Sequence, residues 1–463
     1  MEKGPLEIAA EAIGVPNDQF RLVFCFLASI FLGFVQWGLV RGKKARELYS
    51  LVCGLGLGVL MYGVSELKHF AITSSVTYGC MLMAPREKVA VPVLVLNMAY
   101  LSFMHIHRMI VDWMGWSMDA TGLQMMMIIK LTSLAYSYQD GAVEKTAPER
   151  IPQEQKRLIV REIPSILEYY SYLCFYPSFL VGPSFEYMDY KRFSEQVEEY
   201  KEIPNPVPQA LKVLGLALLF SGLTVYGGAQ FDYEYMVYPE FDRQSFLYKA
   251  VYFNLAMVVC KIRYTCAWKF TEAGMVASGM AFAGYTKEGK PSWFRGVSIN
   301  YWEAEFGATA KHMIDNWNIS VAVWLRRCVF NRVAISGEEV KPSPLRRSMA
   351  QHTTFIVSAL WHGFYPSYYP FFFLFSIHSE VSKMAYVSDF SWLPLKPVVK
   401  WVAWSFMWQI GNVLGIMFTM LTIERSLTVL KAIYAYPLIV LIAAYCFFKF
   451  TGLHRKNRTK KTN

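Results

Sequence analysis

Apolar residues in this chain gather in long runs separated by short polar segments, rather than alternating as in half-buried strands. The run Leu22–Val40 is almost uncharged and long enough to cross a bilayer, which takes roughly 20 apolar residues at about 1.5 Å each. Further runs follow at Leu51–Val64, Leu67–Ala84, Val89–Val111, Leu123–Tyr138, Ile166–Val181, Ala210–Gly228 and Phe246–Trp268. After a gap they resume at Met349–Trp361, Tyr365–Ile377, Val398–Ile423 and Val429–Phe450. Several are short or punctuated by charge, as at Glu66 and Lys68, which suits segments lying in the interface or re-entering the membrane. The pattern predicts an all-α fold, a polytopic membrane helical bundle of about eleven transmembrane helices with additional interfacial helices.

Composition agrees. With 54% hydrophobic and only 17% charged residues, the chain is too apolar for a soluble protein, where charge runs nearer ~25%. No Gly/Ser-rich linker, charge block or internal repeat divides residues 1–463, which read as a single integral-membrane domain. The net charge of +11 does not imply nucleic acid, because Lys and Arg sit in loops between apolar runs and at the C-terminus, where they face anionic headgroups. The basic loop Arg41–Arg46 belongs in the cytosol, so residues 1–20, which hold no apolar core and hence no cleavable signal, are expected to be lumenal. The basic tail 451–463 belongs in the cytosol too, which requires an odd number of crossings. Its last residues, Lys460-Lys-Thr-Asn463, look like a dilysine retrieval signal for the endoplasmic reticulum, with a tail solvated on anionic lipid as the alternative. Eight cysteines without paired spacing read as small buried hydrophobes, with no metal site or disulfide framework.

The region 269–347 is the least hydrophobic long part of the chain. It has a turn at Lys287–Pro291 and tryptophans at 293, 302, 317 and 324 among charged residues, as in amphipathic helices at headgroup level. Of the eight histidines, His69, His105, His107 and His454 read as exposed or interfacial, while His312, His352 and His378 stay open, the last with Glu380 as a charged span end. His362 differs, standing inside the apolar and aromatic run Val357–Phe375, where an ionisable group normally faces a bundle interior or a wet cavity. Gly363 permits close approach, and Pro366, Tyr368 and Tyr369 can bend and wet the helix. On these residues alone, a packed histidine bonded to a carbonyl is as good a reading as a functional one.

A second segment, Asp315–Arg327, places Trp317, Val321, Trp324 and Cys328 on one predicted helical face with Asn318 at its edge. Asn318-Ile-Ser320 also matches a glycosylation sequon, although it abuts an apolar helix. Arg326, Arg327, Arg332, Lys341, Arg346 and Arg347 follow as a basic cluster, either an ordinary cytosolic loop or a landing site for phosphates.

Asp315-Asn-Trp-Asn-Ile with Trp324-Leu-Arg, followed by Ser358-Ala-Leu-Trp-His-Gly-Phe-Tyr-Pro-Ser-Tyr-Tyr369, resembles the paired signature of the membrane-bound O-acyltransferase family, in its lysophospholipid-reacylating branch. The likeness extends to Lys130–Tyr136, Gln139–Gly141, Pro164–Tyr169, Val181–Pro183 and Tyr264–Trp268, nearly the whole chain. It implies a helical core around a buried chamber and an active centre made of His362 and Asn318. Trp317, Trp361, Tyr369, Arg326 and Arg327 are then the candidate substrate-binding residues. The spacing between Asn318 and His362 is wide, which an insertion at Ser336–Pro342 accounts for, and Ser367 stands where relatives often carry Gly.

The implied reaction is attack of a glycerol hydroxyl of a lysophospholipid on acyl-CoA, a co-substrate, with His362 as general base and no other cofactor. Asn318 would orient the imidazole or stabilise the oxyanion, without an acyl-enzyme. Two alternatives stand beside this: a proton-coupled transporter using Asp140, Glu168, His362 and Glu380, and acylation of a secreted protein or sterol by the same histidine.

Overall fold

Most predicted apolar runs become helices, since a backbone in lipid or in a dry core must satisfy its own N–H and C=O groups. The computed structural model describes residues 4–115, 118–335, 343–388 and 396–453, so Lys341, the Ser336–Pro342 insertion and the basic tail beyond Leu453 lie outside them. Among the described residues the chain is helical, with one isolated bridge, Tyr285–Pro291, and no strand. The all-α expectation is met. The principal helices are α1 (Asn17–Leu39), α2 (Lys43–Tyr62), α3 (Leu67–Met83), α4 (Ala90–Val111), α5 (Ala120–Thr146), α6 (Ile166–Leu173), α7 (Val207–Gln230) and α8 (Phe246–Ala277). They continue with α9 (Ala310–Asn316), α10 (Ile319–Trp324), α11 (Pro344–His362), α12 (Tyr368–Val387), α13 (Lys396–Met420), α14 (Ile423–Ala432) and α15 (Tyr436–Thr451).

Three segments, Asn17–Leu39, Ala90–Val111 and Val207–Val237, are each long and apolar enough to cross a membrane, and α14 with α15 forms a pair bent by 90°. Among the described residues these make three or four crossings by length and composition, fewer than the about eleven that the sequence pattern predicts.

The chain forms two compact units built from interleaved segments. The first comprises Met1–Leu218, Ala267–Ser298 and Val323–Ser343. Here α5 is the central element, buried around nearly its whole circumference from Leu123 to Ala142. The predicted run Ile166–Val181 does not continue as one helix: α6 starts on a Ser165–Glu168 capping box, ends at Leu173, and gives way to a single turn at Tyr176–Phe179. Pro177 opens that turn, and the aromatic side chains pack inward, with Tyr169, Tyr172, Phe175 and Phe179 fully buried. The carbonyls left by the break, Tyr172 O and Leu173 O, accept from Lys130 Nζ of α5 at 3.3 and 3.1 Å. Lys130 also donates to Ser178 Oγ at 2.9 Å, so a cation in the core is satisfied by dipoles. Gly54 of α2 lets that helix meet the same break, because a Cβ there would lie 1.6 Å from Cys174 O.

The second unit comprises Leu219–Cys266, Ile299–Ala322 and Pro344–Asn463. Its core joins Phe241, Phe253 and Met257 to Val413, Leu414 and Met417 of α13 and to Val429, Ile433 and Leu441 of the bent pair. The tryptophans of region 269–347 do not behave alike: Trp302 is exposed as expected at headgroup level, Trp317 is half-buried, and Trp293 and Trp324 are buried. Trp324 can be buried because its indole N–H donates to Thr132 Oγ1 at 2.9 Å.

Candidate active site

His362 is the last residue of α11, not the middle of a continuous span. Gly363 ends the helix with φ +119°, a value L side chains rarely adopt, and its N–H still closes on Ala359 O at 3.1 Å. The next helix, α12, restarts at Tyr368. This break places the imidazole, half-buried, against rings from three elements. Trp361 lies at 4.7 Å between ring centroids, Phe418 of α13 edge-on at 4.9 Å, Phe372 stacked at 5.5 Å and Tyr368 at 6.1 Å. Phe418 comes from a distant segment that no local signal connects to the histidine.

The turn after His362 is held by hydrogen bonds. Tyr369 is exposed and donates its hydroxyl to Gly363 O at 3.4 Å. Ser367 is fully buried, its N–H donates to Leu421 O at 3.1 Å, and its hydroxyl pairs with that of Ser426 at 2.8 Å. With φ −73° and ψ −15°, Ser367 occupies a right-handed conformation that needs no glycine, which explains why serine is accommodated there.

Asn318 does not lie at the edge of a continuous amphipathic helix. The helix breaks at Trp317, which is extended, and at Asn318, which has φ +45° in the left-handed region that Asn tolerates best after Gly. The Asn318 carbonyl then accepts from the N–H groups of Val321 and Ala322 at 3.0 and 3.1 Å, starting α10. Past Trp324 the chain widens into a π-helix over Leu325–Phe330. The break is braced from both sides: Asn300 bonds the Asn316 carbonyl and side chain at 3.1 and 2.8 Å, and the Trp317 ring meets Tyr264 at 6.3 Å.

Asn318 and His362 belong to the same compact unit. Helix α9, leading to Asn318, and helix α11, ending at His362, both pack against α12. The contact of α9 includes a hydrogen bond from Ala310 N to Ser382 Oγ at 2.9 Å.

The basic cluster divides differently from the sequence reading. Arg326 and Arg327 belong to the first unit, Arg326 exposed and Arg327 buried. Arg327 pairs with Glu186 at 2.8 Å and donates to Ser137 Oγ and Ser133 O at 2.9 and 3.0 Å. Arg332 grips Asp140 with both Nη atoms at 2.7 Å and lies 4.7 Å over the Tyr136 ring. A buried guanidinium requires such compensation, so Arg327 and the largely buried Arg332 act as internal braces. The carboxylates considered for proton relay are paired as well: Asp140 with Arg332, Glu168 with Lys43 at 2.5 Å, and Glu380 with Lys449 at 2.7 Å. Of the other histidines, His312 meets Glu303 at 2.7 Å on the surface, His352 is exposed and His378 is buried.

Comparison with known proteins carries this further. Residues 108–420 match the model of the membrane-bound O-acyltransferase family, a span containing both Asn318 and His362. The chain is 28% identical over 461 residues to lysophospholipid acyltransferase 2 of Arabidopsis thaliana, covering 96% of this chain and 97% of the relative. It is 31% identical over 387 residues to membrane-bound glycerophospholipid O-acyltransferase 2 of Rattus norvegicus, covering 79% and 71%. A lysophospholipid acyltransferase of Schizosaccharomyces pombe is 29% identical over 377 residues, with 79% and 71% covered. With its apolar helices and a family match across most of its length, the chain is an integral membrane protein and belongs to the membrane-bound O-acyltransferase family.

Proposed function

We propose that this protein transfers a fatty acyl group from acyl-CoA to the free sn-2 hydroxyl of a lysophospholipid such as lysophosphatidylethanolamine, -serine or -choline. Similarity to three lysophospholipid or glycerophospholipid acyltransferases, one of them over nearly both full lengths, supports the acceptor class. The observation that carries the residue assignment is the pair of helix breaks within one unit, each holding a polar side chain at the break: Asn318 itself at φ +45°, and His362 as the last helical residue before Gly363 at φ +119°.

A hydroxyl is a poor nucleophile at neutral pH. In this reading the neutral His362 imidazole takes the hydroxyl proton as the oxygen attacks the thioester carbonyl. The tetrahedral oxyanion collapses, the C–S bond breaks, and the imidazolium returns the proton to the departing thiolate, yielding phospholipid and free CoA. The rings of Trp361, Tyr368, Phe372 and Phe418 hold the imidazole and limit water, which would otherwise compete as acceptor. Asn318 orients the imidazole or donates its amide to the oxyanion. In this reading Trp317, Trp361 and Tyr369 contribute to substrate binding, and the exposed Arg326 is a basic candidate for the CoA phosphates. The protein works in the endoplasmic reticulum membrane with its C-terminus in the cytosol.

Microsomes containing the protein form phospholipid from labelled acyl-CoA and lysophospholipid, and His362→Ala lowers the rate by about 10²–10⁴-fold at unchanged protein level. Wild-type rates in that variant refute the base assignment. A panel of lysolipid headgroups and acyl donors identifies the preferred pair.

A further inference from the structure

Where α1 ends, Trp37, Arg41 and Arg46 line a cleft of about 420 Å³ whose other side includes Gln196, Lys201 and Glu202. All six belong to the first unit, and none is a residue of the proposed active centre. Three cations thus face one carboxylate. Arg41 donates to the carbonyls of Trp37, Gly38 and Val40 at 3.0, 2.7 and 3.4 Å, and Arg46 reaches Ser194 O at 3.4 Å. These acceptors are neutral, so the guanidinium charges stay uncompensated, and among the described residues neither arginine nor Lys201 enters an ion pair. Nearby cations do: Lys43 bridges Glu168 and Glu195 at 2.5 and 2.8 Å, Arg192 meets Asp189 at 3.3 Å, and Arg295 pairs with Glu199. Burial, and then repulsion from Arg41, hold Arg46 below its ordinary pKa, a strain that an anion between the two would relieve.

Depth narrows the ligand. The apolar span Asn17–Leu39 ends just before Arg41, and a tryptophan followed by arginine at a span end marks headgroup level. Guanidinium forks match phosphate oxygens, and the cleft volume lies within the range of small-ligand sites. We propose that this cleft is a binding site for a phosphate group, carried by an anionic lipid headgroup or by a soluble phosphate, and built from residues other than those of the acyl-transfer centre. The proposal does not depend on the acyltransferase reading.

The test uses the full chain in phosphatidylcholine nanodiscs and reads the thermal midpoint. One arm titrates phosphatidic acid into the discs, and the other adds pyrophosphate to the solution. Phosphatidic acid raises the midpoint of the wild type, and Arg41→Gln/Arg46→Gln shifts the titration to about tenfold higher lipid or more, as loss of two charge-assisted contacts requires. A rise with pyrophosphate alone, lost in the same variant, assigns the site to a soluble phosphate. Because Arg41 also caps α1, Lys201→Gln serves as the second variant: it must weaken the response while leaving the midpoint in pure phosphatidylcholine unchanged. The proposal is overturned if neither phosphate shifts the wild type, or if the shift survives in the double variant and in Lys201→Gln. Acyl transfer measured on the same discs keeps failure of this site apart from failure of the acyltransferase reading.

Discussion

At the scale of single residues, two backbone conformations govern the candidate site. Gly363 must be glycine because φ +119° is closed to other side chains, and its turn leaves His362 at a helix end rather than inside a span. Asn318 holds φ +45°, which costs roughly 1–2 kcal/mol for an ordinary L residue and less for Asn. Two substitutions separate strain from chemistry. Asn318→Ala loses both side chain and backbone tolerance, so its unfolding midpoint falls and kcat drops by about 10²–10³-fold. Asn318→Gly keeps the conformation at little cost in stability and still loses that activity. Wild-type kcat in Asn318→Gly would exclude a chemical role for the amide and leave only a structural one. The identities of His362 and Asn318 were legible because rare residue types stood out in apolar and aromatic surroundings. Their conformations were not, because helical periodicity runs smoothly through Trp317, Val321, Trp324 and Cys328 across the break.

At the scale of elements, the buried arginines decide how the segment after Asn318 is held. Arg327 and Arg332 project from the π-helix and the turn that follows it, and they lock to Glu186 and Asp140 of the same unit. Asp140 is buried while Arg332 keeps a quarter of its side-chain surface exposed, 2% against 25%. Removing the carboxylate leaves a largely buried guanidinium without a counter-charge, its remaining partners being the neutral Arg327 carbonyl and Gln155 amide. We therefore expect Asp140→Asn to cost about 3 kcal/mol, the lower end for broken buried pairs because Arg332 is partly solvated. Adding Arg332→Gln should recover the larger part of that loss. Thermal or denaturant unfolding in detergent measures both, and a loss below about 1 kcal/mol in the single variant would show that the pair holds nothing in place. The sequence left an ordinary cytosolic loop and a phosphate-binding cluster open here, because basic residues are counted along the chain, whereas their carboxylate partners lie far away in sequence.

At the scale of the whole molecule, membrane insertion follows from hydropathy and from family membership, and orientation is the open quantity. The basic loop Arg41–Arg46 and the basic tail predict a cytosolic C-terminus and a lumenal N-terminus. In sealed microsomes, protease added outside should remove an epitope tag placed after Asn463 and spare one placed before Met1. The opposite pattern would overturn the orientation, and loss or protection of both tags would overturn the odd number of crossings.

The sequence alone determined the class of molecule. Long apolar runs can satisfy their backbones in lipid only as helices, and a histidine and an asparagine within matched flanks single out the candidate pair. Tertiary structure decided which runs stay whole. The Ile166–Val181 run breaks because Lys130, from a different helix, accepts the role of donor to its freed carbonyls, and the His362 shell needs Phe418 from α13. It also decided which charges are available: Arg327 and Arg332 are neutralised by carboxylates remote in sequence, while Arg41 and Arg46 are not. The reason is common to all of these. Hydropathy and helical period are properties of neighbours along the chain, whereas compensation of a buried charge or carbonyl depends on what the fold brings within hydrogen-bond reach.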